Sequence, residues 1–228
     1  MPEQYSFDLA ARPALGRGDF FVAPANATAV ATVEGWRDWP SGKLVLVGPP
    51  ASGKTHLAHV WAALTGAAIL PARELADADL PALAAGAVAV EDAETVAGDD
   101  TAERALFHLH NLAQAEARPL LLTAAAPPRQ WPLTLPDLAS RMQATATVAL
   151  EPPDDALLTA VLVKHMAERQ IAIAPEVLSY AIQRMDRSFA AAAALATALN
   201  RAAITARRDD VTKPMVRAAL DRLDADRA

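Results

Sequence analysis

The chain has 228 residues, 53% of them hydrophobic and 21% charged, enough apolar material for one large domain or a domain with a small companion. Its formal net charge of −6 disfavours direct binding of nucleic acid, whose phosphates reward a basic excess. It contains no cysteine, which excludes disulfides, thiolate metal sites and thiol nucleophiles and suits the reducing cytoplasm in which we expect it.

MPEQYSFD is acidic and has no long apolar run, so no signal peptide is expected at the start. The apolar stretches further on are expected to break at charges or prolines short of a membrane span. QYSFDL (4–9) alternates polar and apolar residues over six positions. Alone it reads as a frayed terminus, an added edge strand, or a peptide held by another protein. Pro13, Gly16, Gly18 and Pro24 then predict a loop over 10–26. A helix capped by Asn26 is expected over 26–37, stopped by Pro40 and Gly42.

KLVLVG (43–48) is a short β-branched apolar run and predicts a buried strand. The segment from Gly48 to Thr55 is a glycine-containing loop, and HLAHVWAAL continues as a helix. AAIL (67–70), GAVAVED (86–92), PLLLTA (119–124) and ATVAL (146–150) predict four more strands, with a helix from about Thr101 to Ala117. Strands alternating with helices indicate an α/β fold with a five-stranded parallel sheet covered on both faces. At Pro152-Pro153 the pattern changes. Four helices, about 154–169, 175–185, 188–207 and 213–223, predict a small all-α unit, with Asp154, Pro175, Ser188 and Thr212 as start signals.

GPPASGKT (48–55) satisfies G-x-x-x-x-G-K-[ST] between a predicted strand and a predicted helix, the context in which that pattern binds phosphate. Backbone N–H groups and the helix N-terminus cradle phosphates there. Gly48, Pro49, Pro50, Ala51, Ser52, Gly53, Lys54, Thr55 and the adjoining His56 form the expected phosphate-side set. Lys54 reaches the β and γ phosphates, and Thr55 holds Mg²⁺ through its hydroxyl. Lysine is scarce here, only Lys43, Lys54, Lys164 and Lys213, so each lysine is more apt to have a specific task.

Such a loop needs an acid to orient Mg²⁺ and water. Glu91 and Asp92 end the third strand, with Glu94 nearby: the first carboxylate suits the Mg²⁺ shell and the next suits a water. Glutamate at the first position lengthens the arm by one methylene, which leaves efficient hydrolysis open. Thr123, ending the next strand, suits the γ-phosphate or the attacking water, or structure alone. Arg141 suits a neighbour's nucleotide if subunits meet there, or solvent. His56 and His59 share a helix face without a third ligand, and His108 and His110 carry no signal.

These elements in this order resemble the AAA+ ATPases and, within them, the bacterial replication initiator DnaA. FFVAPAN (20–26) is similar to the family's segment passing the adenine, which implies Phe21, Val22 and Asn26 as adenine-side contacts. LPDLASRM (135–142) resembles the segment bearing the arginine finger, which implies Arg141 in trans. PPD (152–154) looks like the junction of base and lid, and EVLSYAIQR and ALNRA look like lid helices. The resemblance implies a tether and peptide over 1–18, a nucleotide-binding base over 19–151 and a helical lid over 152–228.

Neither the initiator's DNA-binding helix-turn-helix domain nor its N-terminal domain is expected, an architecture similar to the DnaA-related Hda regulators and their α-proteobacterial form. That resemblance implies docking on the DNA polymerase sliding clamp (β subunit) through Gln4, Tyr5, Phe7 and Leu9. It also implies presentation of Arg141 to ATP-bound DnaA, with ADP or ATP and Mg²⁺ as the chain's own ligands and ADP preferred. No sequence-specific DNA contact and no membrane are expected, and a homo-oligomer is open. The family's lid arginine falls near Ala191, so Arg187, one helical turn earlier, is the expected substitute. A helicase loader of DnaC type, an autonomous P-loop ATPase and a small P-loop phosphotransferase are the alternatives.

Overall fold

The computed structural model describes residues 22 and 24–225. Its centre is a parallel sheet of five strands: β1 (Lys43–Val47), β2 (Ala68–Pro71), β3 (Val88–Glu91), β4 (Leu120–Ala124) and β5 (Thr147–Ala149). Their spatial order is β2-β3-β4-β1-β5. The register sets Leu46 beside Thr123 on one side of β1, and beside Val148 on the other.

Every residue of β1 and β4 is buried. Side chains alternate across a strand, so a strand covered on both faces must be apolar throughout. Leu44 and Leu46 pack with Leu57, Trp61 and Val33 on one face. Val45 and Val47 pack with Leu106, Leu109 and Leu138 on the other. Burying each Leu or Val stabilises the fold by about 1.5–3 kcal/mol before entropy is counted.

The first face is covered by α1 (Ala27–Glu34) and α2 (Lys54–Thr65). The second is covered by α3 (Leu80–Ala84), α4 (Asp100–Ala115) and α5 (Pro136–Ala144). Asp99 starts α4 by accepting the N–H groups of Thr101 and Ala102. The helix expected over 26–37 is shorter. It ends at Glu34, and tight turns at Trp36–Asp38 and Pro40–Gly42 lead into β1. Asn26 holds the N-cap position, but its side chain makes no capping bond.

Beyond residue 152 a separate hydrophobic cluster forms within residues 157–219. It joins α6 (Asp155–Glu168), α7 (Pro175–Ile182), α8 (Phe189–Ala206) and α9 (Lys213–Ala225). Asp154 caps α6 through Leu157 N–H, Pro175 opens α7, and Ser188 caps α8 through Ala191 N–H, as their residue types predict. The all-α expectation needs correction. Ala172–Ile173 (β6) and Asp210–Val211 (β7) pair in parallel. Two-residue strands carry too little pattern to be read from sequence.

The expectation that every apolar stretch breaks early is also corrected. The 18 residues of α8 are long and apolar enough to cross a membrane by those two measures. Leu195, Ala196 and Leu199 on this helix lie in the 157–219 cluster, so its apolar stripe faces protein. Alanine lets neighbouring helices approach closely while favouring the helix itself.

Candidate functional site

The loop 48–53 leaves the carboxyl end of β1 and enters α2, the place where open α/β sheets take ligands. Its shape leaves no choice at two glycines. A Cβ on Gly48 would stand 2.5 Å from the Leu150 carbonyl oxygen and 2.7 Å from Ser52 Oγ. Gly53 has φ of 101°, a region that side chains avoid. Ala51 also takes positive φ, 59°. Pro49 and Pro50 have no N–H, so donors to a bound anion come from Ala51 onward and from the first turn of α2. The first four N–H groups of a helix have no partner within it. The buried Ser52 Oγ has no hydrogen-bond partner either.

Lys54, on the first turn of α2, is buried and donates to the carbonyls of Gly48 (2.7 Å) and Pro49 (3.0 Å). Burial pushes its pKa down, while Asp92, Glu94 and Glu91 pull it back up. Thr55 is exposed beside it, and His56 follows on the same turn.

Of the three carboxylates, Glu91 closes β3 and Asp92 and Glu94 follow it, one strand removed from β1 across β4. Asp92 has φ of 53°, a conformation that Asp tolerates better than most residues and that strains a chain near functional sites. Its N–H donates to the buried Thr123 Oγ1 at 3.1 Å, which draws the ends of β3 and β4 together. Glu94 accepts the Ala125 N–H at 2.6 Å. The other Glu94 oxygen, Oε2, and Glu91 Oε1 are buried without partners. The structure thus brings Gly48–Thr55, Glu91, Asp92 and Thr123 to one end of the sheet. Glu94 has a bracing role that the sequence reading did not assign.

These residues fit a Mg²⁺–nucleotide. The glycine at 48 admits no side chain, the first N–H groups of a helix have no partner within it, and unpartnered carboxylate oxygens suit a hard cation.

Arg141 lies at the opposite end. Its helix α5 ends at Ala144, directly before β5 starts. Its charge is felt by Lys43, the first residue of β1, and by His110 on α4. Five residues of β1 separate that end from the loop, roughly 16 Å at strand rise. Arg141 is therefore an exposed residue at the far end of the sheet from its own chain's phosphate loop, and no carboxylate among the described residues pairs with it. Lys43 has the specific task its rarity suggested: it is buried and donates to Gln114 Oε1 at 3.1 Å. Burial first, then Arg141, lowers its pKa.

Arg187 is placed differently from the expectation. It lies in the turn before α8, where Ser188 is the N-cap, and not a turn along a helix. Its guanidinium pairs with Asp155 at the start of α6, at 2.7 Å. Ala191, where the family's lid arginine was expected, is buried in the cluster within residues 157–219. Asn26 is buried, and Val22 is exposed. Phe21 and the expected clamp contacts Gln4, Tyr5, Phe7 and Leu9 lie outside the described residues.

Two further residues carry no motif and were missed. Glu103, fully buried on α4, accepts the N–H groups of Gly98, Thr134 and Leu135 and the Thr134 hydroxyl, at 2.7–3.1 Å. Burial pushes its pKa up, but the bonds from Thr134, Gly98 and Leu135 override that and hold it below the usual value. His110, also buried on α4, has an unpartnered Nδ1 and a pKa lowered to about 4, by burial first and then by Lys43 and Arg141. Both looked like ordinary helix residues, since only tertiary contacts give them partners.

No protein-family profile matches the chain. Solved structures do. Domain III of the Thermotoga maritima replication initiation protein DnaA superposes with a TM-score of 0.76 at 17% identity, covering 92% of this chain and 97% of that one. A replication initiator DnaA bound to AMPPCP and single-stranded DNA gives 0.71 at 16% identity, covering 86% of this chain and 69% of that one. The AAA domain of FIGL-1 gives 0.66 at 16% identity over 92% and 84%. The chain therefore shares the fold of DnaA domain III and of the FIGL-1 AAA domain, with a five-stranded parallel sheet.

Proposed function

We propose that this chain is a nucleotide-binding AAA+ regulator that works on a neighbour's nucleotide. The observation that carries the reading is the separation of two half-sites. The phosphate loop and its carboxylates stand at one end of the sheet, and at the other stands an arginine that no carboxylate among the described residues pairs with. An arginine too far from its own phosphate loop can reach a nucleotide only in trans, where a finger of this kind is worth about 10³–10⁵ in rate.

Gly48–Thr55 would hold the phosphates of ADP or ATP, Thr55 and Glu91 the Mg²⁺, and Asp92 and Thr123 the region where water attacks. Val22 and Asn26 would flank the base. The bound group supplies a phosphoanhydride and a hard cation. The chain's own part is to bind and orient it, and to brace base (19–151) against lid (152–228), whose separate clusters support that division. Arg187 reaches a nucleotide only by leaving Asp155.

The partner is taken to be DnaA in its ATP form, met in the cytoplasm while this chain is docked on the replication sliding clamp through residues 4–9. The effect is loss of DnaA-ATP and restraint of re-initiation. The fold that this chain shares with domain III of DnaA supports a partner built alike.

The test combines purified chain, clamp and DnaA loaded with labelled ATP. Wild type accelerates hydrolysis and Arg141→Ala does not. Unchanged turnover with wild type, or full activity in Arg141→Ala, defeats the reading. Clamp binding lost in Gln4→Ala with Phe7→Ala tests the docking step separately.

A further inference from the structure

We infer that Glu103 is the positioning residue for Arg141, anchoring the start of the helix that carries it. The inference rests on the reading of Arg141 as a residue that acts in trans.

Two restraints orient α5. Leu138 and Met142, one helical turn apart, are fully buried in the cluster on this face of the sheet and fix the rotation of the helix about its axis. That leaves Arg141 exposed. The remaining freedom is at the N-terminus. Leu135 is the N-cap and has no side-chain oxygen to offer, so the helix shows no side-chain cap of its own. In a capping box, a Glu three residues on bonds back to the N-cap N–H, but here that place is Leu138.

Glu103 supplies the missing bond from another helix. Its Oε2 accepts the Leu135 N–H at 2.7 Å and the Thr134 hydroxyl at 3.1 Å. Both oxygens share the Thr134 N–H at 3.0 Å. Oε1 also accepts the Gly98 N–H at 2.9 Å. Gly98 follows the acidic segment with φ of 88°. One carboxylate therefore ties the loop after Glu91–Glu94 to the root of the arginine helix.

Four donors and no acceptor face those two oxygens, so only a carboxylate satisfies them all. A glutamine has the same shape but turns an NH₂ toward at least one N–H. Glu103→Gln thus removes the anchor while filling the same volume.

The experiment measures DnaA-ATP hydrolysis with clamp present, across DnaA concentrations, for wild type, Glu103→Gln, Arg141→Ala and the double variant. Glu103→Gln lowers the maximal rate by about tenfold to a hundredfold, the usual effect of a misplaced catalytic group. The half-saturating concentration stays as in wild type. Added to Arg141→Ala it does nothing more, because it acts through that residue. ADP binding is retained, since the Glu103 carboxylate bonds only to Gly98, Thr134 and Leu135 and to none of Gly48–Thr55, Glu91, Asp92 or Thr123.

Backbone amide exchange gives a readout independent of activity: Thr134 and Leu135 exchange at least tenfold faster in Glu103→Gln, while α2 is unchanged. Should Glu103→Gln lose ADP binding through misfolding, Thr134→Val at an exposed position removes one donor and lowers the maximal rate in the same direction. An active wild type with an unimpaired Glu103→Gln, an additive double variant or unchanged exchange overturns the positioning role alone. An inactive wild type overturns the trans reading and this role with it.

Discussion

Acidification acts on His110 in a way that can be worked out from its surroundings. The ring is buried on α4, and burial first, then the charges of Lys43 on β1 and Arg141 on α5, disfavour its protonated form, while Asn111 on its own helix opposes them as the smallest of four influences. The folded chain therefore takes up this proton only near pH 4, whereas the unfolded chain takes it up near 6.5. Between those values the unfolded state binds more protons, so stability falls as pH falls, and above 6.5 the group contributes nothing to the slope. With each unit worth about 1.36 kcal/mol, lowering pH from about 7 to about 5 removes about 2 kcal/mol.

That interval lies above ordinary carboxylate titration, which keeps acidic residues out of the measurement. The assay is urea unfolding of wild type and His110→Leu at both pH values. Leucine fills a similar volume without titrating. The variant should lose about 2 kcal/mol less than wild type over the same interval. Equal losses in the two proteins would show that His110 is not held neutral by burial and the two positive charges, and would refute the reasoning. Arg141→Ala removes one of the cations and should raise the His110 pKa as followed by NMR.

Gly48→Ala should abolish retention of ADP on a filter or in calorimetry, because the new methyl would meet the Leu150 carbonyl and Ser52. Lys54→Ala should lose the same binding, while Arg141→Ala should keep it, since Arg141 lies at the far end of the sheet from its own loop; equal loss in both would place Arg141 at the wrong end of the sheet. Arg187→Ala should change unfolding free energy by less than about 1 kcal/mol, because its pair with Asp155 is exposed. Its ADP affinity is the informative quantity: a drop assigns Arg187 to the nucleotide, and no change confines it to Asp155. Leu138→Ala should destabilise by about 2–5 kcal/mol in urea unfolding, as a fully buried leucine does.

Local chemistry made much of this molecule legible in its sequence. Strands covered on two faces must be apolar at every position, so KLVLV and LLLTA announce themselves without any partner being known. GPPASGKT predicts a tight glycine loop between a strand and a helix, and the chain does turn there from β1 into α2, with Gly48 hemmed in and Gly53 at positive φ. Capping is equally local, and Asp154 and Ser188 start their helices as their side chains dictate. Tertiary structure alone decided what depended on distant residues. Two-residue strands exist only because Ala172 and Asp210 meet. Arg187 stands where Asp155 holds it, not where helical counting put it. Glu103 and His110 look like solvated helix residues until packing removes water from one and gives it four donors, and buries the other where the charges of Lys43 and Arg141 are felt. Most telling is Arg141: its residue type allowed a finger or a surface charge, and only the parallel run of β1 and β5 put it at the far end from the loop it would otherwise have served.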